Sequence, residues 1–257
     1  MGEAEIGRDR EGMVELSRLT TIRLVPDSEP RTFRQFRFTP PPGATEILLV
    51  RHGESQAAVE GESFPLVDGH GDPPLSEEGR EQAERVGERL AVEHIDAVYV
   101  TNLQRTAQTA APLVAKIHLD PIVEPELREV FLGEWEGGVL RQKVMDQDPL
   151  AQRIFEEQRW DVVPGAEPHE AFAARLRGSI ERIAILHPDQ RVAAFVHGGV
   201  IGEVLAQATG ARSFSMGGAD NGSISHIVVT GDRWVLRRYN DTAHLDAGLT
   251  VRPEPLT

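Results

Sequence analysis

The chain contains no cysteine. That removes disulfide frameworks, thiolate metal sites and cysteine nucleophiles together. The nine histidines are left as the main source of nucleophiles and soft ligands. Basic residues are in the minority, 27 against 41 acidic, for a formal net charge of −14. A nucleic-acid binder needs a basic stripe to displace counterions, so no nucleic-acid partner is expected. Long apolar runs are missing too. The longest obvious one, Val192 to Gly202, is about half of the ~20 residues that cross a bilayer, so no membrane partner is expected. The opening MGEAEIGRDREG is charged and mostly acidic, unlike a secretory signal. The expectation is a cytoplasmic, globular α/β protein. At 257 residues it is long enough for a full hydrophobic core in one large domain or two small ones.

Residues 1–43 differ from the rest. Ile22, Leu24 and Val25 suit a short strand, and Phe33, Phe36 and Phe38 interleave with Arg31, Arg34 and Arg37. Pro40-Pro41-Pro42-Gly43 then breaks the chain. The segment reads either as an extension packed on the main domain, 44–257, or as a partner-binding arm. After Gly43, strands alternate with helices. Glu46–Val50, Ala97–Val100 and Val192–Val196 are short apolar runs, as expected of strands buried on both faces. Ser76 is suited to cap a helix whose stripe is Ala83, Val86, Leu90 and Ala91. A second helix starts near Leu103, with Thr101 or Asn102 as its cap. Phe172, Leu176, Ile180 and Ile183 mark a third, closed by Pro188, and Val200–Ala208 a fourth that ends at Gly210. Ser223–Thr230 and Trp234–Tyr239 flank Gly231-Asp232 as a hairpin. This grammar predicts an α/β fold, a doubly wound and mostly parallel central sheet flanked by helices, with an N-terminal extension.

Two of the buried strands end alike. One runs into Arg51-His52-Gly53 and the other into His197-Gly198-Gly199. Ligands of open α/β sheets bind outside the carboxyl ends of the strands. If the two strands are neighbours, two imidazoles face one crevice, and the glycines let backbone N–H groups approach an anion. One such histidine alone is more often structural. The third strand leads into Thr101-Asn102-Leu103-Gln104-Arg105, which puts Arg105 near a helix N-terminus, an end that attracts anions. Taken alone, Arg105 is as well explained by a surface ion pair. His70, His94, His118, His169 and His187 read as solvated or capping residues in loops and at helix ends, and His226 and His244 as structural residues around the hairpin. No HxxxH or HExxH pair suggests a metal site, and no GxxxxGK[ST] loop suggests nucleotide chemistry.

These residues resemble the histidine phosphatase superfamily, also called phosphoglycerate mutase-like, over roughly residues 46–244. The shared motifs are LLVRHGES (Leu48–Ser55), PLSEEGREQA (Pro74–Ala83), TNLQRTAQTA (Thr101–Ala110), LREVFLGEWEG (Leu127–Gly137) and FVHGG (Phe195–Gly199). The resemblance implies His52 as a nucleophile that becomes phosphohistidine, and Glu129 as the acid that protonates the leaving group. It implies Arg51, Arg105 and His197 as the catalytic pocket around the phosphoryl oxygens. Ser55 and Gly198 join those three as substrate-binding residues. No metal and no cofactor are implied, because arginines can supply the fixed positive donors that phosphoryl transfer needs.

Three features depart from the family pattern. Ala58 stands where an asparagine usually touches phosphate, so that donor is missing or comes from elsewhere. Thr101 replaces a serine, and the 43-residue extension has no counterpart in short members. LGEWEGG resembles the phosphatase branch, so the expected activity is that of a histidine acid-type phosphatase, a hydrolase of a small phosphorylated metabolite. The rivals are a phosphoglycerate mutase and a non-catalytic phospho-ligand binding module. Residues 138–168, with Met145, Phe155, Trp160 and Val162-Val163-Pro164-Gly165, either pack on the sheet or roof the crevice. A homodimer is compatible with the sequence, which does not fix the oligomeric state or the ester.

Overall fold

The computed structural model describes residues 32–245. The chain divides into two units, Met1–Thr39 and Pro40–Thr257, a boundary four residues before the one read from the sequence. Residues 32–39 of the first unit carry no helix or strand, and Phe33 and Phe36 are exposed. The strand expected at Ile22–Val25 lies outside the described residues.

The second unit runs β1 (Thr45–Arg51), β2 (Leu66–Val67), β3 (His70–Gly71), α1 (Glu77–Ala91), β4 (Ala97–Val100), α2 (Gln104–Ile117) and β5 (Ile122–Val123). There follow α3 (Val139–Met145), α4 (Pro149–Glu157), α5 (His169–Leu186), β6 (Arg191–Val196), α6 (Gly198–Thr209), β7 (Ile224–Thr230) and β8 (Arg233–Asp241). Six strands form one sheet in the order β5-β4-β6-β1-β7-β8. β5, β4, β6 and β1 are parallel, and β7 and β8 close one edge antiparallel, as the sequence grammar expects.

β1 explains why its run is continuously apolar. Side chains alternate across a strand, so Ile47 and Leu49 join Phe172, Leu176, Ile180 of α5 and Val200, Val204 of α6 on one face. Leu48 and Val50 join Val86, Leu90 of α1 and Ala110, Leu113 of α2 on the other. Helices therefore cover both faces, and the sheet is doubly wound. Ser76 caps α1 by accepting from Gly79 N at 3.0 Å, a contact whose loss costs about 1 kcal/mol. α6 stops at Gly210, whose φ of 67° is the left-handed conformation of a C-terminal cap.

The cap expected of Thr101 or Asn102 on α2 is not formed. Leu103 is the N-cap residue and no side chain of that turn caps the helix. Asp72, from the loop after β3, instead accepts from Gln104 N at 2.8 Å. Thr101 is turned inward, where Oγ1 meets His197 Nε2 at 3.1 Å.

The apolar groups of residues 138–168 gather in a cluster distinct from those on the sheet. Trp135, Leu140, Ala151, Ile154 and Val163 make a separate core, so these apolar groups pack on one another more than on the sheet. Met145 is exposed.

Candidate active site

Strand register brings the two histidines together. Val50 pairs with Phe195 and Arg51 with Val196, so β1 and β6 end level. Val100 of β4 also pairs with Phe195, which aligns a third strand end. The next residues are His52, His197 and Thr101. His52 and His197 stand edge to face with ring centroids 5.2 Å apart.

The His52 ring is oriented by its own loop. Nδ1 meets Gly53 O at 2.7 Å, which places the proton on Nδ1, and Arg105 Nε donates to Nε2 at 3.3 Å. Burial, then the charges of Arg105 and Arg51, hold this imidazole well below the ordinary histidine value, while the bond to Gly53 pulls the other way. The ring is therefore neutral at physiological pH. His197 is wholly buried and neutral for similar reasons: burial first, then Arg105, His52 and Arg51. Its Nδ1 has no hydrogen-bond partner. It stands beside His52 and is not among the residues that line the cavity.

Arg51 and Arg105 flank His52. Arg51 Nη1 donates to Ala219 O at 2.5 Å. Arg105 Nη1 donates to Gly71 O at 3.0 Å, with Asp72 Oδ1 at 3.9 Å. Burial lowers Arg105 to about 10, against the pull of Glu129 and Asp72, so it remains charged at neutral pH. A third guanidinium, Arg141 of α3, lines the cavity as well. It donates to Ser55 Oγ at 2.7 Å and Gln56 O at 2.8 Å, and lies over the Phe64 ring. Among the described residues no carboxylate pairs with it. Burial and then Arg51 lower its pKa. Ala58 is beneath the turn that starts α3: a Cβ on Gly138 would be 3.1 Å from its methyl. Gly137 and Gly138, at φ 70° and 104°, make that turn, and the small side chain of Ala58 leaves room for it.

Glu129 is half-buried. Its two oxygens face two backbone donors, Val130 N at 3.0 Å to Oε1 and Gly199 N at 3.0 Å to Oε2. Gly198 opens α6, whose N-cap residue His197 makes no side-chain cap; Glu129 takes the Gly199 N–H, and this positive helix end favours an anion. Arg51, His52, Arg105, Glu129 and Gly198 share one cavity of about 330 Å³. Ser55 lies instead in a second hollow, which Arg141, His52 and Arg51 also line. Among the described residues no three histidine or acidic side chains converge as a metal site, and no helix is long and apolar enough to cross a membrane.

The profile of the histidine phosphatase superfamily (branch 1) matches residues 47–242. The chain belongs to the histidine phosphatase superfamily. Similar proteins include phosphoglycerate mutase-like protein 4 of Arabidopsis thaliana, 33% identical over 207 residues, 78% of this chain and 87% of that one. The metal-independent phosphoserine phosphatase of the same plant is 29% identical over 206 residues, 79% of this chain and 84% of its own. A mycobacterial glucosyl-3-phosphoglycerate phosphatase shares the fold with a TM-score of 0.66 and 26% identity, across 77% of this chain and 100% of that structure.

Within this histidine phosphatase fold, some lining residues escaped sequence reading. His70, read as a solvated or capping residue, is buried beside Phe131, with ring centroids 5.2 Å apart, and lines the cavity. The β2–β3 ribbon that carries it is only two residues per strand, too short to leave an alternating pattern. Arg141 lay in the segment suspected as a roof, without a motif of its own. Glu203 had a signal: it is the one charged residue in α6, a helix buried from Val200 to Ala206.

Proposed function

We propose that the chain hydrolyses phosphate monoesters of small metabolites through a phosphohistidine on His52, without a metal ion. The observation that carries this reading is the set of that imidazole. Its Nδ1 is bonded to Gly53 O, and its Nε2 is left as the lone-pair nitrogen beside Arg105. A neutral imidazole of fixed tautomer is a competent nucleophile.

In the first step Nε2 attacks phosphorus. An N–P bond forms as the P–O bond to the alcohol breaks. Arg51, Arg105 and Arg141 hold the non-bridging oxygens, and the N–H groups opening α6 face the same charge. In this arrangement Arg141 supplies the donor that Ala58 cannot. His197 packs edge to face on His52 and holds that ring in place. Glu129 delivers a proton to the departing alkoxide. In the second step water attacks phosphorus and gives a proton to Glu129. The N–P bond breaks, inorganic phosphate leaves and His52 is restored. Three guanidiniums supply the charge a divalent ion would bring, and one relative is named metal-independent.

A panel of phosphorylated metabolites tests the proposal. Release of inorganic phosphate is the expected result. Interconversion of phosphoglycerates without net release would favour a mutase, and binding without turnover a binding module. Either result overturns the proposal.

A further inference from the structure

We infer that the far end of the cavity receives an ammonium group, so that the preferred substrates are phosphate monoesters of amino alcohols. The inference rests on the phosphatase reading for its chemistry and on a separate set of residues for its recognition.

The first of these residues is Glu203. It is 7% exposed, surrounded on α6 by the buried Val200, Ile201, Val204 and Leu205, and it lines the cavity. Its carboxylate accepts from Ser213 Oγ at 2.7 Å and from Gln207 Nε2 at 3.0 Å, both neutral donors. Among the described residues no cation lies within ion-pair distance of it. A carboxylate has about four lone-pair sites, so two remain for a ligand. Burying a carboxylate without a counter-charge is costly, and a site that supplies the cation with the substrate accounts for it.

The aromatic wall at the same end agrees. Phe214 follows Ser213 in the chain and lies tilted against Trp160 with ring centroids 4.9 Å apart, with Phe155 edge-on at 6.3 Å, and all three line the cavity. Phe214 has a φ of 68°, left-handed backbone that bulky residues rarely adopt. The faces of such rings attract cations.

The helix supplies a ruler. Gly199 N holds Glu129, and Glu203 follows four residues later, one helical turn or about 6 Å along the axis. Gly199 and Gly202 line the cavity between them and leave that helix face without side chains. Guanidiniums at one end and an unpaired carboxylate at the other suit a short ligand with phosphate and ammonium at opposite ends, in one orientation.

Calorimetric titration of the full chain with aminobutylphosphonate and pentylphosphonate tests this. The two have the same length, ammonium replacing methyl, and neither can be hydrolysed. The wild-type protein should bind the amino compound at least tenfold more tightly. Glu203→Gln, which keeps the side-chain shape, should bring the ratio close to one. Trp160→Leu should reduce it severalfold with Glu203 in place, and serves if Glu203→Gln melts early. A wild-type ratio of one or less, or a ratio that survives both substitutions, overturns the inference. Amino preference without hydrolysis of any ester would leave the ammonium site standing and remove the phosphatase reading. Hydrolysis without amino preference would do the reverse.

Discussion

Gly199 holds the Glu129 carboxylate and leaves no room for anything else there. Its N–H donates to Oε2 at 3.0 Å, while a Cβ at the same residue would stand 2.5 Å from Oε1. Glu129 is the end of a flexible side chain, so Gly199→Ala should fold and push the carboxylate away. Alkyl phosphates leave as basic alkoxides and need a proton, an effect of roughly 10² to 10⁴ in rate, whereas p-nitrophenyl phosphate leaves as a stable phenolate. Both Gly199→Ala and Glu129→Gln should slow alkyl phosphates about 100-fold or more and the aryl ester far less. Equal losses on both esters, read as kcat/KM, would remove Glu129 from the acid role.

Stability should fall as the solution is acidified. His52 and His197 have depressed values in the folded protein, while in the unfolded chain they protonate near the ordinary value of about 6.5. Below that value the unfolded state binds more protons, so stability present at neutral pH is lost as pH drops. Each histidine contributes at most about 1.4 kcal/mol per pH unit. Urea midpoints between about pH 7.5 and about pH 5.5 check this. His52→Gln should flatten the slope; an unchanged slope would contradict the account.

Arg141 should matter for every ester. A hydrogen bond to a charged group contributes about 1.5–3 kcal/mol, so Arg141→Met should raise KM about tenfold or more with a smaller change in kcat. Its bonds to Ser55 and Gln56 are exposed or partly so, and the melting temperature should move little. Unaltered KM across several esters would exclude it from the phosphate pocket.

The strands that carry the candidate site are legible in the sequence because a strand buried on both faces is an unbroken apolar run, and β1, β4 and β6 are such runs. Their carboxyl ends carry Arg51-His52, Thr101 and His197, so motif and topology point to one crevice. Asp72 and Arg141 act across long separations. Asp72 caps α2 from 32 residues upstream, and Arg141 reaches Ser55 across 86. Neither contact leaves a local pattern. Residues 138–168 contribute to a separate core around Trp135 and Ile154, which apolar content alone does not distinguish from packing on the sheet.

The central claim is a phosphoryl group carried by His52 Nε2. Protein mixed with a turned-over phosphate monoester and quenched in alkali can be digested and read by mass spectrometry. The account predicts phosphate on the peptide containing His52, stable in alkali and lost in acid, and absent from His52→Ala, which should have no turnover. Turnover by His52→Ala, or phosphate found only on another residue, would contradict it.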